Sequence, residues 1–169
     1  MGAANDLLLD GYDRIAQSVP EVLDGLGTDD AAWRPDEGSN SVGWLVWHLT
    51  RVQDSHVAEA WDVEQLWSTG EWAARFGLDP DPQNTGYGHT PDDVARVRPE
   101  DAAALVDYFD AVDARTRGYL TDLTPDQLDR IVDRRWNPPV TLGARLISVA
   151  DDDIQHAGQA AYLRGLLDR

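Results

Sequence analysis

Four long stretches of this sequence repeat apolar residues every three or four positions, which is the period of a helix with one buried face. The stretches lie at about 5–26, 42–61, 99–120 and from 141 to the C-terminus. Ser41 or Asn40 can cap the second stretch and Thr141 the last, because their side-chain oxygens accept from free backbone N–H groups. The pattern predicts an all-α protein, an antiparallel four-helix bundle in a single domain over residues 1–169.

Proline and glycine set the predicted helix ends. The segment SVPE at 18–21 has the pattern of a capping box, so the first stretch is either one helix kinked at Pro20 or two helices in series. Gly27 is expected to end this stretch, since glycine adopts the left-handed conformation without steric cost. Pro99 is expected in the first turn of the third helix, where its missing N–H costs nothing.

The connection between the second and third helices is long and irregular. Residues 62–98 hold a short helical piece at GEWAARFG, followed by LDPDPQNTGYGHTPDDVARVRP, which is dense in Pro, Gly, Asn and Asp. Long irregular segments in compact domains are usually lids or binding loops. We therefore expect residues 77–98 to form a mobile or loosely packed wall of a site, outside the core.

Composition narrows the classes of function. The chain has no Cys, which excludes disulfides, thiolate nucleophiles and Cys-based metal sites. The 31 acidic residues outnumber the 14 basic ones, all of them Arg, and the net charge of -17 disfavours nucleic acid and membranes as partners. The N-terminus lacks the pattern of a signal peptide, and no apolar run approaches the ~20 residues of a membrane helix. We expect a cytoplasmic protein.

Two residues of the last helix have the spacing of metal ligands. Asp152 and His156 are four positions apart, so their side chains lie on one face of the helix. A tetrahedral zinc site needs a third protein ligand, and His48 is the candidate because it falls beside the apolar stripe of the second helix. The same spacing is also typical of a solvated Asp–His pair, and a lone inward His is often a hydrogen-bonded core residue. Spacing alone leaves both interpretations open.

A family resemblance favours the metal site. The segments NSVGWLVWHLTRVQD at 40–54 and LGARLISVADDDIQHAGQAAYLRGLL at 142–167 resemble the DinB-like superfamily, and more closely its actinobacterial branch of mycothiol-dependent enzymes, which includes the metal-binding domain of maleylpyruvate isomerase. The likeness extends over essentially the whole chain. It implies a four-helix bundle of DinB type with a long irregular crossover after helix two, and a metal held by His48, Asp152 and His156. The metal implied is Zn²⁺, with Ni²⁺ as the alternative.

The chain departs from the family pattern at two positions. Many relatives have Glu or His where Asp152 stands, and the shorter Asp must approach the metal closely to keep a ligand distance of about 2.0–2.2 Å. Others have a further His near Gln159. Asp153, three positions before His156, is a geometric alternative to Asp152, and Asp151 is a weaker one.

The resemblance also implies an activity. It predicts a zinc-dependent enzyme that uses mycothiol as a co-substrate for S-transfer to, or isomerisation of, an electrophilic small molecule, as in detoxification. The absence of Cys fits a borrowed thiol. The alternatives are a non-catalytic metal-binding stress-response module and a hydrolase that activates water, for which Asp153 is the candidate base. A homodimer stays open.

Several further residues have both a functional and an ordinary interpretation. Trp residues at helical spacing are typical of a core, and Arg51 and Arg164 suit surface salt bridges in so acidic a chain as well as substrate carboxylates. His89 lies on the crossover, where a loop hydrogen bond is the ordinary role, and His56 is expected at the rim of the site. The candidates for substrate contacts are Trp44, Arg51, His89 and Gln159.

Overall fold

The computed structural model describes residues 2–167 and has the all-α fold that the sequence predicts. Within those residues, four long and four short helices accompany a 3-10 turn and one small hairpin. The elements are α1 (Ala3–Leu23), α2 (Thr28–Ala32), α3 (Val42–Trp61), α4 (Leu66–Thr69), α5 (Trp72–Arg75), α6 (Pro91–Arg96), α7 (Ala102–Thr121), the 3-10 turn (Pro125–Asp129), β1 (Ile131–Asp133), β2 (Val140–Thr141) and α8 (Leu142–Leu167). In this part of the chain no helix is long and apolar enough to span a bilayer.

The long helices α1, α3, α7 and α8 enclose one core. α3 and α1 each pack on both α7 and α8, so the order around the bundle is α1, α8, α3, α7. The neighbours α1 and α8 run parallel, because Tyr12 donates to the carbonyl of Leu146 while Arg164 donates to that of Asp24. The long α3–α8 contact is the one that carries the candidate site.

The neighbours α3 and α7 are parallel as well, because Arg51 contacts Tyr108 and, further along both helices, Trp61 stacks on Tyr119. The expectation that all neighbours are antiparallel is therefore wrong. Parallel neighbours cannot be joined by a short loop, since the chain must return along the bundle. This geometry is the reason for the long crossover.

The first helix is continuous, which decides between the two sequence interpretations. α1 contains Pro20 and ends at Leu23, so SVPE does not start a second helix. Gly25 takes the left-handed conformation with φ of 66°, whereas Gly27 is extended and precedes α2. The stop signal predicted at Gly27 is therefore misplaced by two residues.

Three other helix starts follow side-chain caps. Ser41 accepts from the N–H of Trp44 at 3.1 Å, and Thr141 accepts from the N–H of Ala144, as predicted. α7 begins after Asp101, whose carboxylate accepts from the N–H of Ala104 at 2.8 Å. Pro99 lies before this cap, so its predicted place inside the helix is wrong.

The two short strands β1 and β2 pair antiparallel in one hairpin before α8. The TPDQ segment forms the capped 3-10 turn, in which Thr124 and Gln127 satisfy each other's backbone N–H groups. Most large apolar side chains of the four long helices are buried, and the exposed ones include Leu7, Ile147, Ile154 and Tyr162.

The crossover is packed more closely than its composition predicts. Trp67, Phe76, Val94 and Val97 join the core. Arg51 of α3 is fully buried and donates to the carbonyls of Asn84 and Pro82, to the side chains of Gln65 and Tyr108, and to Asp54. These five contacts equal the number of N–H groups in a guanidinium. The expectation of a loosely packed segment outside the core at 77–98 is therefore wrong for Val94 and Val97, which are buried, and for Pro82 and Asn84, which bind Arg51.

Candidate metal centre

His48 of α3 and the Asp152–His156 pair of α8 come together at the α3–α8 contact. Each offers one ligand atom, and these atoms all lie within 4.8 Å of one another. The two imidazole rings have centroids 4.6 Å apart and are nearly perpendicular. The structure thus assembles the three residues that spacing and resemblance single out, while their role as ligands stays a prediction.

The hydrogen bonds of His48 leave one ring nitrogen available. Its Nδ1 lies 2.5 Å from the carbonyl oxygen of Thr85 in the crossover. A carbonyl can only accept, so Nδ1 carries the proton and Nε2 keeps a lone pair. Trp44 stacks on the ring at a centroid distance of 4.6 Å and fixes its plane. An outer hydrogen bond of this kind orients metal-binding histidines in general.

His156 is held in the same tautomer by its own helix. Its Nδ1 lies 2.8 Å from the backbone carbonyl of Asp152, one turn earlier in α8. The carbonyl again requires a proton on Nδ1, so Nε2 holds the lone pair whenever the ring is neutral. Each imidazole therefore offers one ligand atom to the same small space.

Asp152 completes the ligand set with an unpaired oxygen. Its Oδ2 is buried and accepts no hydrogen bond, although it lies 3.2 Å from Nδ1 of His156. A buried carboxylate oxygen without a donor is costly unless a cation or water satisfies it. Two imidazole nitrogens and one carboxylate oxygen match the His₂-carboxylate sets that bind catalytic Zn²⁺. The residues present therefore fit a divalent metal, with room for a further ligand from the groove.

The electrostatics of His48, Asp152 and His156, together called the triad, suit metal binding. Burial lowers the pKa of His48, which keeps this ring neutral. At Asp152 burial acts to raise the pKa, but the contact with His156 outweighs it and the pKa is lowered. At His156 burial acts to lower the pKa, but the contact with Asp152 outweighs it and the pKa is raised. A cation bound here would compete with the proton on His156.

Asp153 lies on the other side of α8. Its side chain is fully buried, and neither carboxylate oxygen has a hydrogen-bond partner within residues 2–167. Burial raises its pKa well above the usual range, and the nearby acids Asp152 and Asp113 add to the shift. Successive residues of a helix are about 100° apart, so Asp152 and Asp153 cannot both face the groove. Asp153 is therefore not a substitute ligand, and it does not suit the role of a general base for water.

An open groove of about 590 Å³ begins at the triad. One wall is the crossover, from Pro82 to the highly exposed Tyr87, and the hairpin supplies Arg135 at the other end. Gly86 lets the crossover approach α3, since a Cβ there would lie 2.7 Å from Nδ1 of His48. Its φ of 94° also favours glycine. The residues lining the groove include His48, Asp152, Ser55, His56, Glu59, Gln65, Gln83, Thr85, Tyr87 and Arg135.

The four residues predicted to contact substrate, Trp44, Arg51, His89 and Gln159, are not among the residues lining this groove. Trp44 is buried and donates from Nε1 to Nδ1 of His89 at 3.1 Å, while Nε2 of His89 bonds Oδ1 of Asn84 at 2.8 Å. Both ring nitrogens of His89 are thus used inside the protein, which matches its ordinary interpretation as a loop hydrogen bond. Gln159 is exposed and lines a separate shallow groove beside Tyr162.

Arg51 also differs from the sequence interpretation. Arg51 is neither a surface salt bridge nor a groove residue, because all its contacts are buried within the protein. Arg164 donates to the backbone carbonyl of Asp24. Trp47 is fully buried and Trp61 is partly buried against Tyr119, in line with core roles.

Sequence reasoning missed the residues that support the site. Thr85 and Gly86 act through a backbone carbonyl and through the lack of a side chain, which motif spacing does not reveal. The usable signal was the GYG segment in the crossover, where Gly86 and Gly88 both have positive φ.

Comparison with known proteins agrees with this fold. A family model described as DinB superfamily matches residues 12–160, most of the chain. The chain belongs to the DinB superfamily. The crystal structure of a conserved protein from Enterococcus faecalis is 33% identical, with a TM-score of 0.88 over 97% of this chain and 96% of that one. Among curated proteins, no significant match was found.

Proposed function

We propose that this DinB-superfamily protein is a metal-dependent enzyme that uses a low-molecular-weight thiol, mycothiol, for S-transfer to or isomerisation of an electrophilic small molecule. The observation that carries the proposal is the unpaired, buried Oδ2 of Asp152 in a cluster where His48, Asp152 and His156 each offer one ligand atom within 4.8 Å. A bound Zn²⁺ would supply an open coordination position at which a thiol loses its proton near neutral pH.

The residues around the triad have defined tasks in this proposal. Thr85 and the backbone of α8 hold both imidazoles in the ligand tautomer. Asp152 brings one negative charge, and the histidines bring none, so a dication keeps a net attraction for an anion. The groove beside the triad has room for the thiol and its partner. The chain has no Cys, so the thiol must come from a small molecule.

The structure favours thiol chemistry over water activation. A hydrolase needs a general base near the metal, and Asp153, the base expected from the sequence, is buried on the far side of α8. Glu59 lines the groove, but Arg135 and Arg145 occupy its two oxygens. A non-catalytic metal-binding module remains the outcome if metal binds and no turnover follows.

Calorimetric titration of mycothiol into metal-free and zinc-loaded protein tests the proposal. We expect tight binding only with metal, and tighter binding as the pH rises through the neutral range, because deprotonation of the thiol then costs less. The His156→Ala variant is the control that cannot load metal. Equal affinity with and without zinc would refute thiol activation. Thiol consumption with monochlorobimane then separates an enzyme from a binding module.

A further inference from the structure

His56 is the groove histidine that the metal site does not use. Its Nδ1 lies 2.6 Å from Nη1 of Arg145, and about two-fifths of its side chain is exposed in the groove. A guanidinium has no acceptor, so Nδ1 must hold the lone pair and the proton must sit on Nε2. This is the opposite tautomer to that of His48 and His156. Burial and Arg145 lower the pKa of His56, which keeps it neutral.

The charges around His56 cancel and leave donors facing the groove. Glu59 accepts from Arg135 through Oε1 and from Arg145 through Oε2, at 2.9 and 2.5 Å. The two arginines also share the buried carboxylate of Asp133. Both acids are therefore fully engaged. Arg135 uses Nε and Nη2 in these contacts, and its Nη1 has no partner among residues 2–167.

Two groups at this end of the groove can only donate and have no acceptor within residues 2–167, Nε2–H of His56 and Nη1 of Arg135. Both belong to residues lining the cavity that starts at the triad. His48 and His56 are eight residues apart on α3, which is about 12 Å along the helix at ~1.5 Å per residue. One extended ligand could therefore place an acceptor group here and another atom at the triad.

We propose that His56 and Arg135 bind a carboxylate of the substrate, at the end of the groove opposite His48, Asp152 and His156. The inference rests on the proposed function for the site at the other end. A carboxylate has only acceptors, so it matches a donor-only pair better than a hydroxyl, and hydrogen bonds to a charged group are the stronger ones. The substrate class is a small molecule whose carboxylate lies on the order of 10 Å from its reacting atom, as far apart as two turns of α3.

The test compares two thiols of equal length. Zinc-loaded protein is titrated by calorimetry with 6-mercaptohexanoate and with 6-mercaptohexan-1-ol. We expect the acid to bind about tenfold or more tightly, since a charge-assisted hydrogen bond is worth about one decade in affinity. His56→Leu and Arg135→Gln should each remove most of this preference while the affinities for zinc and for the alcohol stay unchanged. Arg14→Gln, an exposed arginine of α1, is the control for net charge.

A second arm needs no thiol. Adipate has two carboxylates, one for the triad and one for the donor pair, and we expect it to bind the zinc-loaded protein about tenfold more tightly than hexanoate. If neither thiol binds but adipate keeps its Arg135-dependent advantage, the proposed function fails and this inference stands. Equal affinity for acid and alcohol and for adipate and hexanoate, or a preference that survives in both variants, overturns it.

Discussion

Asp152 and Asp153 are neighbours in sequence and have opposite environments. Asp152 faces the groove, has about a third of its side chain exposed and lies beside two imidazoles, so its pKa is lowered. Asp153 faces the bundle core near Tyr12, has no hydrogen-bond partner within the described residues and has its pKa raised well above the usual range. One step along a helix separates a carboxylate suited to a cation from one suited to a proton.

The largest effect should come from removing the ligands on the groove side. We predict about one bound Zn²⁺ per chain in the wild type and in Asp153→Asn, and almost none in Asp152→Ala and His156→Ala. Metal analysis after dialysis measures the occupancy, and zinc-dependent thermal stabilisation gives an independent reading, since ligand at 100 Kd adds about 2.7 kcal/mol. Full zinc occupancy in both Asp152→Ala and His156→Ala would refute the assignment of the metal site.

Two glycines of the crossover, Gly86 and Gly88, differ in their distance from the metal site and allow a second test of it. Gly86→Ala places a Cβ 2.7 Å from Nδ1 of His48, whereas Gly88→Ala meets no atom within 4 Å. Both glycines have positive φ, so both variants carry similar backbone strain of about 1–3 kcal/mol. We predict that Gly86→Ala alone also weakens zinc binding, by about 10–100-fold, because the outer hydrogen bond from Thr85 is disturbed. Equal zinc affinity in the two variants, measured by competition with a chelator, would contradict this role.

These contrasts show where the sequence was informative. The bounds of α3 followed from its apolar stripe and from Ser41, because a cap and a helical period are both local signals. The triad followed from the Asp152–His156 spacing together with the family resemblance. The Thr124–Gln127 spacing is a local signal of the same kind, and the two residues form the capping box of the 3-10 turn.

Other features depend on tertiary contacts that no local pattern contains. The parallel packing of α3 on α7 and the burial of Arg51 arise where the crossover returns over α3. An arginine in an acidic chain is predicted to lie at the surface, yet Arg51 is buried because the crossover supplies acceptors for its N–H groups. The sequence also left the choice between Asp152 and Asp153 open, since the apolar pattern does not fix the rotation of α8 to within the ~100° that separates adjacent residues.

The core-facing carboxylate should destabilise the fold at neutral pH. The pKa of Asp153 is raised in the folded state, so the folded and unfolded chains are equally protonated below about pH 4. Above that pH the unfolded chain loses its proton first, and this residue lowers the stability by up to about 1.4 kcal/mol per pH unit until the folded pKa is reached. We predict that Asp153→Asn is more stable than the wild type at pH 7 and that the gain shrinks towards pH 4. Urea unfolding at both pH values measures it, and a constant difference would refute the assignment.

The smallest effect should have the opposite sign and come from Asp152. Its folded pKa is lowered, so in metal-free protein it contributes stability above about pH 4, and this contribution is lost as the pH falls through the folded pKa. Because the side chain is about a third exposed, solvent screening limits the contribution to roughly 0.2–1 kcal/mol. We predict that Asp152→Asn, measured with a chelator present, is slightly less stable than the wild type at pH 6, where His156 is protonated and the pair is charged. The deficit should shrink as the pH falls below about 4 towards the folded pKa. A gain in stability at pH 6 like that of Asp153→Asn would mean that both carboxylates are held in the same environment, which the opposite faces of α8 do not allow.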